Sequence, residues 1–315
     1  MTGQILENFN KIKIEIEKNK GINITEAKCL SKKIIHSNPI YLCRLKNKDE
    51  IAIKFFEKIN VMEKENFCNK YLEARGLCVP KIIFHGKYPT PYIAMKKIDG
   101  KKPLVSDVLT RVVDLTKVHT NSLDDPSLNK NLPKLTKKDR IKNLERNIEL
   151  LRSNPLISDR LYDKFAFLKK LINLKDYGFW ENCFCFNDFF INNSLKSNKG
   201  LYYFDFEKAC ISNPFIDVGC IIINYPEKYE DIKKEYIENI RVNLKSEKFK
   251  IRLSNLGLLV DIGMCEKVIE DAAFLSNDSI KKTKSSNFCK KLAKRKIESV
   301  SFVFENLKNN LMGEK

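Results

Sequence analysis

The stretch Cys183-Phe184-Cys185-Phe186-Asn187-Asp188-Phe189-Phe190-Ile191-Asn192-Asn193, continued through Ser197-Asn198-Lys199-Gly200 to Leu201-Tyr202-Tyr203-Phe204-Asp205-Phe206-Glu207, decides how the chain is read. Apolar runs of strand character lead into Asp188 and Asp205, and Ser-Asn-Lys-Gly between them is turn chemistry. The pattern predicts a hairpin-like strand–loop–strand that brings Asp188, Asn193 and Asp205 to one end of one small sheet. Two carboxylates and an amide oxygen gathered in this way suit Mg²⁺, which takes few protein ligands and fills its shell with phosphate oxygens and water. Glu207 reads equally well as a further metal ligand or as a solvated carboxylate.

Upstream, short β-like runs follow one another: KIIHS, IYLCRL and EIAIKFF, with the turn KNKDE between the last two. They predict a three-stranded meander. A helix is expected from about Val61 to Ala74, ended by Gly76 as its C-cap. VPKIIFHG and PYIAMKKIDG add two more strands. Within IAIKFF, Lys54 points to the face opposite that of Ile53 and Phe55. A lysine in an apolar strand needs an anionic partner, and Glu65 on the next helix is the natural one.

After Gly100 the pattern turns helical. Residues 104–122 and 137–176 have helical spacing, with a polar loop around Asp124–Pro133 between them, and the chain from about 226 to 310 is mostly helical again. A leading helix is expected over 5–18. The fold class is therefore α+β: a small N-terminal lobe with an antiparallel sheet plus helix (residues 1–95), and a larger, mainly helical C-terminal lobe (residues 96–315), hinged near Met95–Gly100.

Composition excludes several classes. Ten cysteines show no C-x-x-C pair, and with only three histidines, His36, His85 and His119, a zinc site is not expected. The first residues lack the basic-then-apolar order of a signal peptide, and no apolar run is long enough for a membrane span, so a soluble, cytoplasmic protein is expected. Net charge is +18. Such a surface attracts anions, yet no basic run matches a nucleic-acid motif, and lysine is abundant throughout. The run KKLAKRK, near the C-terminal end, reads as a solvated helix face.

The ordered motifs resemble the aminoglycoside phosphotransferase and choline/ethanolamine kinase superfamily, which has the protein-kinase-like fold. Phe186-Asn187-Asp188 through Asn193 is similar to the family's catalytic loop, Phe204-Asp205-Phe206-Glu207 to its metal motif, and Asn213-Pro214-Phe215-Ile216-Asp217-Val218-Gly219 to its later aspartate motif. Lys64-Glu65 with Val79-Pro80 resembles the family's front-lobe helix and strand, Tyr92-Ile93-Ala94-Met95 its hinge strand, and Val118-His119 its L-x-x-L-H helix. The match runs from about residue 30 to 225.

The resemblance implies an ATP- and Mg²⁺-dependent small-molecule kinase, with residues 1–95 as the nucleotide-binding lobe and 96–315 as the catalytic and acceptor-binding lobe. Asp188 would be the catalytic base, and Asn193 and Asp205 the magnesium ligands. Lys54 and Glu65 would form the phosphate-aiming pair, Asn38 would lie in the nucleotide loop, the backbone of Ala94, Met95 and Lys96 would meet adenine, and Asp217 would brace the catalytic loop. The acceptor is a small-molecule hydroxyl. An amino alcohol such as choline or ethanolamine, a sugar or a nucleoside ranks ahead of an aminoglycoside, because a strongly basic chain repels a polycation.

Two departures from the family pattern stand out. Phe186 replaces the histidine before the base, and His36-Ser37-Asn38-Pro39 replaces a glycine-rich nucleotide loop. They motivate an alternative: a catalytically weak pseudokinase that binds nucleotide or an anionic partner. His119 reads as a packing residue and Asn187 as a structural hydrogen-bonder. The aromatics Phe179, Trp180, Phe184, Phe186, Phe189 and Phe190 read as core, or else as a cation–π box for a quaternary amine.

Overall fold

The computed structural model describes residues 2–30, 38–152, 154, 160–175, 178–244, 255–276, 286–298 and 301–312. These form two compact units. The first comprises Met1–Pro103 and Asn192–Glu207, and the second Leu104–Ile191 and Lys208–Lys315.

The first unit is built on an antiparallel sheet of β1 (Ile24–Cys29), β2 (Ile40–Leu45), β3 (Glu50–Phe55), β4 (Ile82–Gly86) and β5 (Tyr92–Lys96), in the order β1-β2-β3-β5-β4. Strand alternation sorts its two faces. Ile51, Ile53 and Phe55 of β3 pack with Tyr41, Cys43, Tyr92 and Ala94, and the helix α1 (Thr2–Lys20) lays Phe9, Ile12 and Ile16 over them. Phe9 stacks on Tyr41 at 4.4 Å between ring centroids. Full burial of an Ile or Phe side chain of this set contributes about 1.5–3 kcal/mol. On the other face, Met62 of α2 (Ile59–Glu73) packs with Phe56, Ile93 and Met95. Lys54 alternates onto this α2 face. Past α2 the chain reverses at Gly76, whose φ of 78° lies in the left-handed region that glycine enters freely.

The meander differs from expectation in its first strand. It is Ile24–Cys29, whose only buried residue is Ile24, and KIIHS lies outside the described residues. An edge strand exposed on both faces carries no alternation to read.

The 192–207 segment of the first unit is a hairpin, β7 (Ser194–Ser197) against β8 (Gly200–Tyr203), tied on by backbone hydrogen bonds from Tyr203 N to Cys78 O and between Lys101 and Lys196. The expected single small sheet is two sheets. The CFC run forms β6 (Cys183–Cys185), which pairs instead with β9 (Cys210–Ser212) in the second unit. Asp188 thus follows one ladder, while Asn193 and Asp205 flank the other.

The second unit is helical around the β6–β9 pair. Its helices are α3 (Val108–Ser122), α4 (Pro126–Asn131), α5 (Lys137–Arg152), α6 (Arg160–Leu174), α7 (Phe215–Asn224), α8 (Tyr229–Asn243), α9 (Leu256–Ser276), α10 (Ser286–Glu298) and α11 (Ser301–Met312). The loop expected at 124–133 contains α4. Its start signal is present in the sequence: Asp125 caps by accepting from Ser127 N, and Pro126 occupies the first turn. Apolar α9 runs through the centre of the unit and crosses α7 closely. A Cβ on Gly263 would lie 2.5 Å from the Phe215 carbonyl carbon, and one on Gly219 would lie 2.9 Å from Met264 Cα. That crossing fixes α7 and with it Asp217. Among the described residues, no helix is long and apolar enough to cross a membrane.

Candidate active site

In the first unit the side chains meet around Lys54, which is 4% exposed. Its ammonium donates to both Glu65 oxygens, at 2.9 and 2.8 Å, and to Asp205 Oδ1 at 2.8 Å, and it pairs with Glu207 Oε1 at 2.8 Å. Asn38 Nδ2 donates to the same Glu207 oxygen, and Lys64 Nζ donates to the Glu207 carbonyl. Glu207 is therefore an engaged carboxylate rather than a solvated one.

The sequence brings these groups together for simple reasons. Alternation turns Lys54 towards α2, Glu65 is a buried position of that helix, and Asp205 and Glu207 follow directly on β8. Asp205 has φ 69°, a left-handed conformation uncommon for a non-glycine residue. Phe204 N bonds to Asn193 O at 3.1 Å, so Asn193 and Asp205 lie at the same end of the hairpin. Ala94 and Met95 are buried in β5 between β3 and β4, and Lys96 is the exposed last residue of that strand.

Burial works against the Lys54 charge, but Glu65, Asp205 and Glu207 outweigh it and hold the ammonium above the ordinary lysine range. Burial pushes Glu65 up to about 7, against the pull of Lys54. One oxygen each from Glu65, Asp205 and Glu207 lies within 4.8 Å of the others. Such a hard-oxygen donor set fits a divalent cation of the Mg²⁺ type.

In the second unit the 186–190 loop is held on several sides. Asp217 is fully buried and accepts the backbone N–H of Phe186 on Oδ2 and of Asn187 on Oδ1, both at 2.7 Å. Asn187 itself has φ 57°. Arg111 donates to Phe189 O at 2.8 Å. Phe186 packs between Phe184 and Phe189, at 5.1 and 4.6 Å between centroids, so apolar packing fills the place of the family histidine. Lys208 Nζ lies 3.2 Å from Asp188 Oδ1. Sequence reasoning missed Lys208, although it directly follows the Asp205-Phe206-Glu207 motif.

His119 is the packing residue the sequence suggested. It sits fully buried between Tyr236 Oη at 2.7 Å from Nδ1 and Asp217 Oδ2 at 3.3 Å from Nε2. Donation to the carboxylate puts the proton on Nε2, leaving Nδ1 to accept from the tyrosine. Burial holds His119 below the usual histidine pKa, with Asp217 opposing.

A base lowered in this way leaves stability unaffected above the unfolded pKa of about 6.5 and removes it as pH falls below that value, where only the unfolded chain takes up the proton. Urea midpoints of the wild type are therefore expected to fall between pH 6.5 and 5 by more than those of His119→Gln. Equal slopes for the two proteins would show that His119 is not the group responsible.

Comparisons with known proteins agree with this fold. Residues 36–238 match the model of the phosphotransferase enzyme family. No curated protein matches the chain by sequence. Among solved structures, choline kinase from Cryptosporidium parvum is similar over 96% of this chain and 97% of its own, with a TM-score of 0.66 at 14% identity. Spectinomycin phosphotransferase in complex with ADP and spectinomycin is similar over 94% and 97%, with a TM-score of 0.66 at 14% identity. An ethanolamine kinase from Plasmodium vivax is similar over 91% and 84%, with a TM-score of 0.59 at 12% identity. At these identities the likeness shows a shared fold, the protein-kinase-like one.

Proposed function

The chain belongs to the phosphotransferase enzyme family, and on that premise we propose that it transfers the γ-phosphate of ATP to a hydroxyl of a small molecule. The observation that carries the reading is Lys54, buried and held between Glu65 of α2 and Asp205 after β8. Phosphoryl transfer asks mainly for positioned charge: a cation aimed at the phosphates, oxygens for magnesium, and a carboxylate for the attacking hydroxyl.

In this reading Glu65 aims Lys54 at the α- and β-phosphates. Asn38 and the backbone of Ala94, Met95 and Lys96 hold the nucleotide. Asn193 and Asp205 hold Mg²⁺, which when bound supplies positive charge to the phosphate oxygens. Asp188 orients the acceptor hydroxyl and takes its proton. Amino alcohols, sugars and nucleosides rank above aminoglycosides as acceptors, and a cytoplasmic enzyme without a membrane span is the matching setting. The pseudokinase alternative rests on the missing loop histidine and on the 36–39 loop, of which His36 and Ser37 lie outside the described residues. Asp217, Arg111 and the Phe186 packing give the 186–190 loop another brace, which supports the enzyme reading.

The test is ADP formation with ATP and Mg²⁺ across a panel of hydroxyl compounds. A second measurement addresses the metal: Asp205→Ala is expected to abolish the Mg²⁺-dependent tightening of ATP binding in titration calorimetry. A magnesium effect of wild-type size in that variant would remove Asp205 from the metal site.

A further inference from the structure

We infer that the acceptor is an uncharged polyhydroxylated molecule of the sugar or nucleoside class, held in a polar recess of the second unit beside Asn187. The inference rests on the kinase reading above and narrows it.

The first observation concerns the aromatic rings around Asp188. A cationic acceptor is recognised by open ring faces or by carboxylates with charge to spare. Trp180, Phe184, Phe186 and Phe189 are all buried, and the Arg111 guanidinium lies over the Phe189 ring at 4.9 Å. The side chain of Phe179 lies outside the described residues. Phe190 is half-buried, but its ring is already within reach of two of the chain's own ammoniums, Lys267 Nζ at 5.0 Å and Lys296 Nζ at 6.0 Å from the centroid. An incoming ammonium there would meet two like charges two residues from Asp188.

Nearby carboxylates are engaged too. Glu270 and Asp271 pair with Lys267 at 3.1 and 3.6 Å, and Asp271 also pairs with Lys296 at 2.8 Å. Burial works against the charge of Lys267, which is 1% exposed, but the carboxylates of Glu270, Asp271 and Asp188 oppose it. The ammonium therefore stays protonated and keeps its place at the Phe190 ring.

The second observation is the recess itself. Its charged lining is Arg140, Arg146, Glu266 and Glu270, one carboxylate for each guanidinium, with the amides of Asn143, Asn147 and Asn187 beside them. Arg140 and Glu266 are buried and neutralise each other through a two-pronged pair, from Nε at 3.1 Å and from Nη2. The amides of Asn143, Asn147 and Asn187 each carry donors and an acceptor. Such a wall has little net charge to offer an ion but many fixed partners for hydroxyls, each of which both donates and accepts. An ionic acceptor would lose its hydration without gaining a counter-charge, whereas a polyol exchanges water for equivalent hydrogen bonds. Asn187, which lines the recess, directly precedes Asp188, and the inference puts the acceptor at that loop.

The experiment measures kcat/KM for ADP formation with ATP and Mg²⁺ on choline, ethanolamine, and a set of hexoses, pentoses and nucleosides. An uncharged sugar or nucleoside is expected to exceed both amines by about 100-fold or more, since a site built to hydrogen-bond its ligand rejects one that leaves its polar groups unpaired. Asn143→Ala, at an exposed helix position, is expected to raise KM for that acceptor by about 10-fold without changing KM for ATP. Preference for choline or ethanolamine overturns the inference and leaves the kinase reading standing. So does sugar or nucleoside transfer with an unaltered acceptor KM in Asn143→Ala, because the recess would then not be the site. No ADP formation with any compound overturns both.

Discussion

Asp188→Asn is expected to lower kcat by about 10²–10⁴-fold while ATP binding and the folded state survive, since that is the usual contribution of a positioned general base. Asparagine keeps the shape and one acceptor oxygen but cannot take the proton or carry the charge. The loop should hold its conformation because its restraints lie elsewhere: Asp217 fixes the N–H groups of Phe186 and Asn187, and Arg111 fixes the carbonyl of Phe189. The ion pair with Lys208, whose side chain is 55% exposed, is lost, and pairs of that kind contribute at most about 1 kcal/mol; the carboxylate's attraction for Lys267 is lost with it. Steady-state kinetics on the best acceptor, calorimetry with ATP and a urea melt together decide it. Near-wild-type kcat would show that Asp188 is not the base; lost ATP binding would move it into the nucleotide site.

What the sequence made legible, and what it hid, follows from the range of each interaction. Lys54 and Glu65 could be paired on paper because both periodicities are local: the strand alternates by two, and the helix starts a few residues later. The hairpin at 194–203 announced itself by its turn. The partner of β6 was hidden because Cys183–Cys185 skips the adjacent hairpin and pairs with Cys210–Ser212, a choice made by the packing of the second unit rather than by nearby residues. β1 was hidden for another reason: it is an edge strand, less apolar than the KIIHS run that drew the eye.

The charges around Asp188 lay deepest. Lys267 and Lys296 come from helices far along the chain: Lys267 lies in apolar α9 at the centre of its unit, and Lys296 in the basic run KKLAKRK, where it looks like any solvated lysine. The motif residues were readable because phosphoryl transfer uses few side-chain types at short spacings, while acceptor specificity is assembled from distant ones.

Lys54→Met is expected to reduce kcat/KM for ATP by about 10²–10³-fold, the loss typical of removing one pre-aimed charge from a developing oxyanion. Glu65→Gln should lose less, because the ammonium remains and still has Asp205 and Glu207 to aim it. Stability separates the two residues by pH. In Lys54→Met the buried Glu65 has lost its cation, so its pKa, already pushed to about 7 by burial, rises further. A carboxyl whose folded pKa stands above its unfolded value leaves stability intact below the unfolded pKa and removes it as pH rises through the folded one. Lys54→Met should therefore be near wild-type stability at pH 5 and weaker above about pH 7, by on the order of 3 kcal/mol, the usual penalty for an uncompensated buried charge.

Adding Glu65→Gln should remove that pH dependence and restore most of the stability, yet cause little further loss of activity, because no lysine is left to orient. Both cycles are then strongly non-additive, with opposite consequences for stability and catalysis. Additive losses in kcat/KM would mean the two residues do not act as a unit on the nucleotide, and the assignment of Lys54 as the phosphate cation would fall with them.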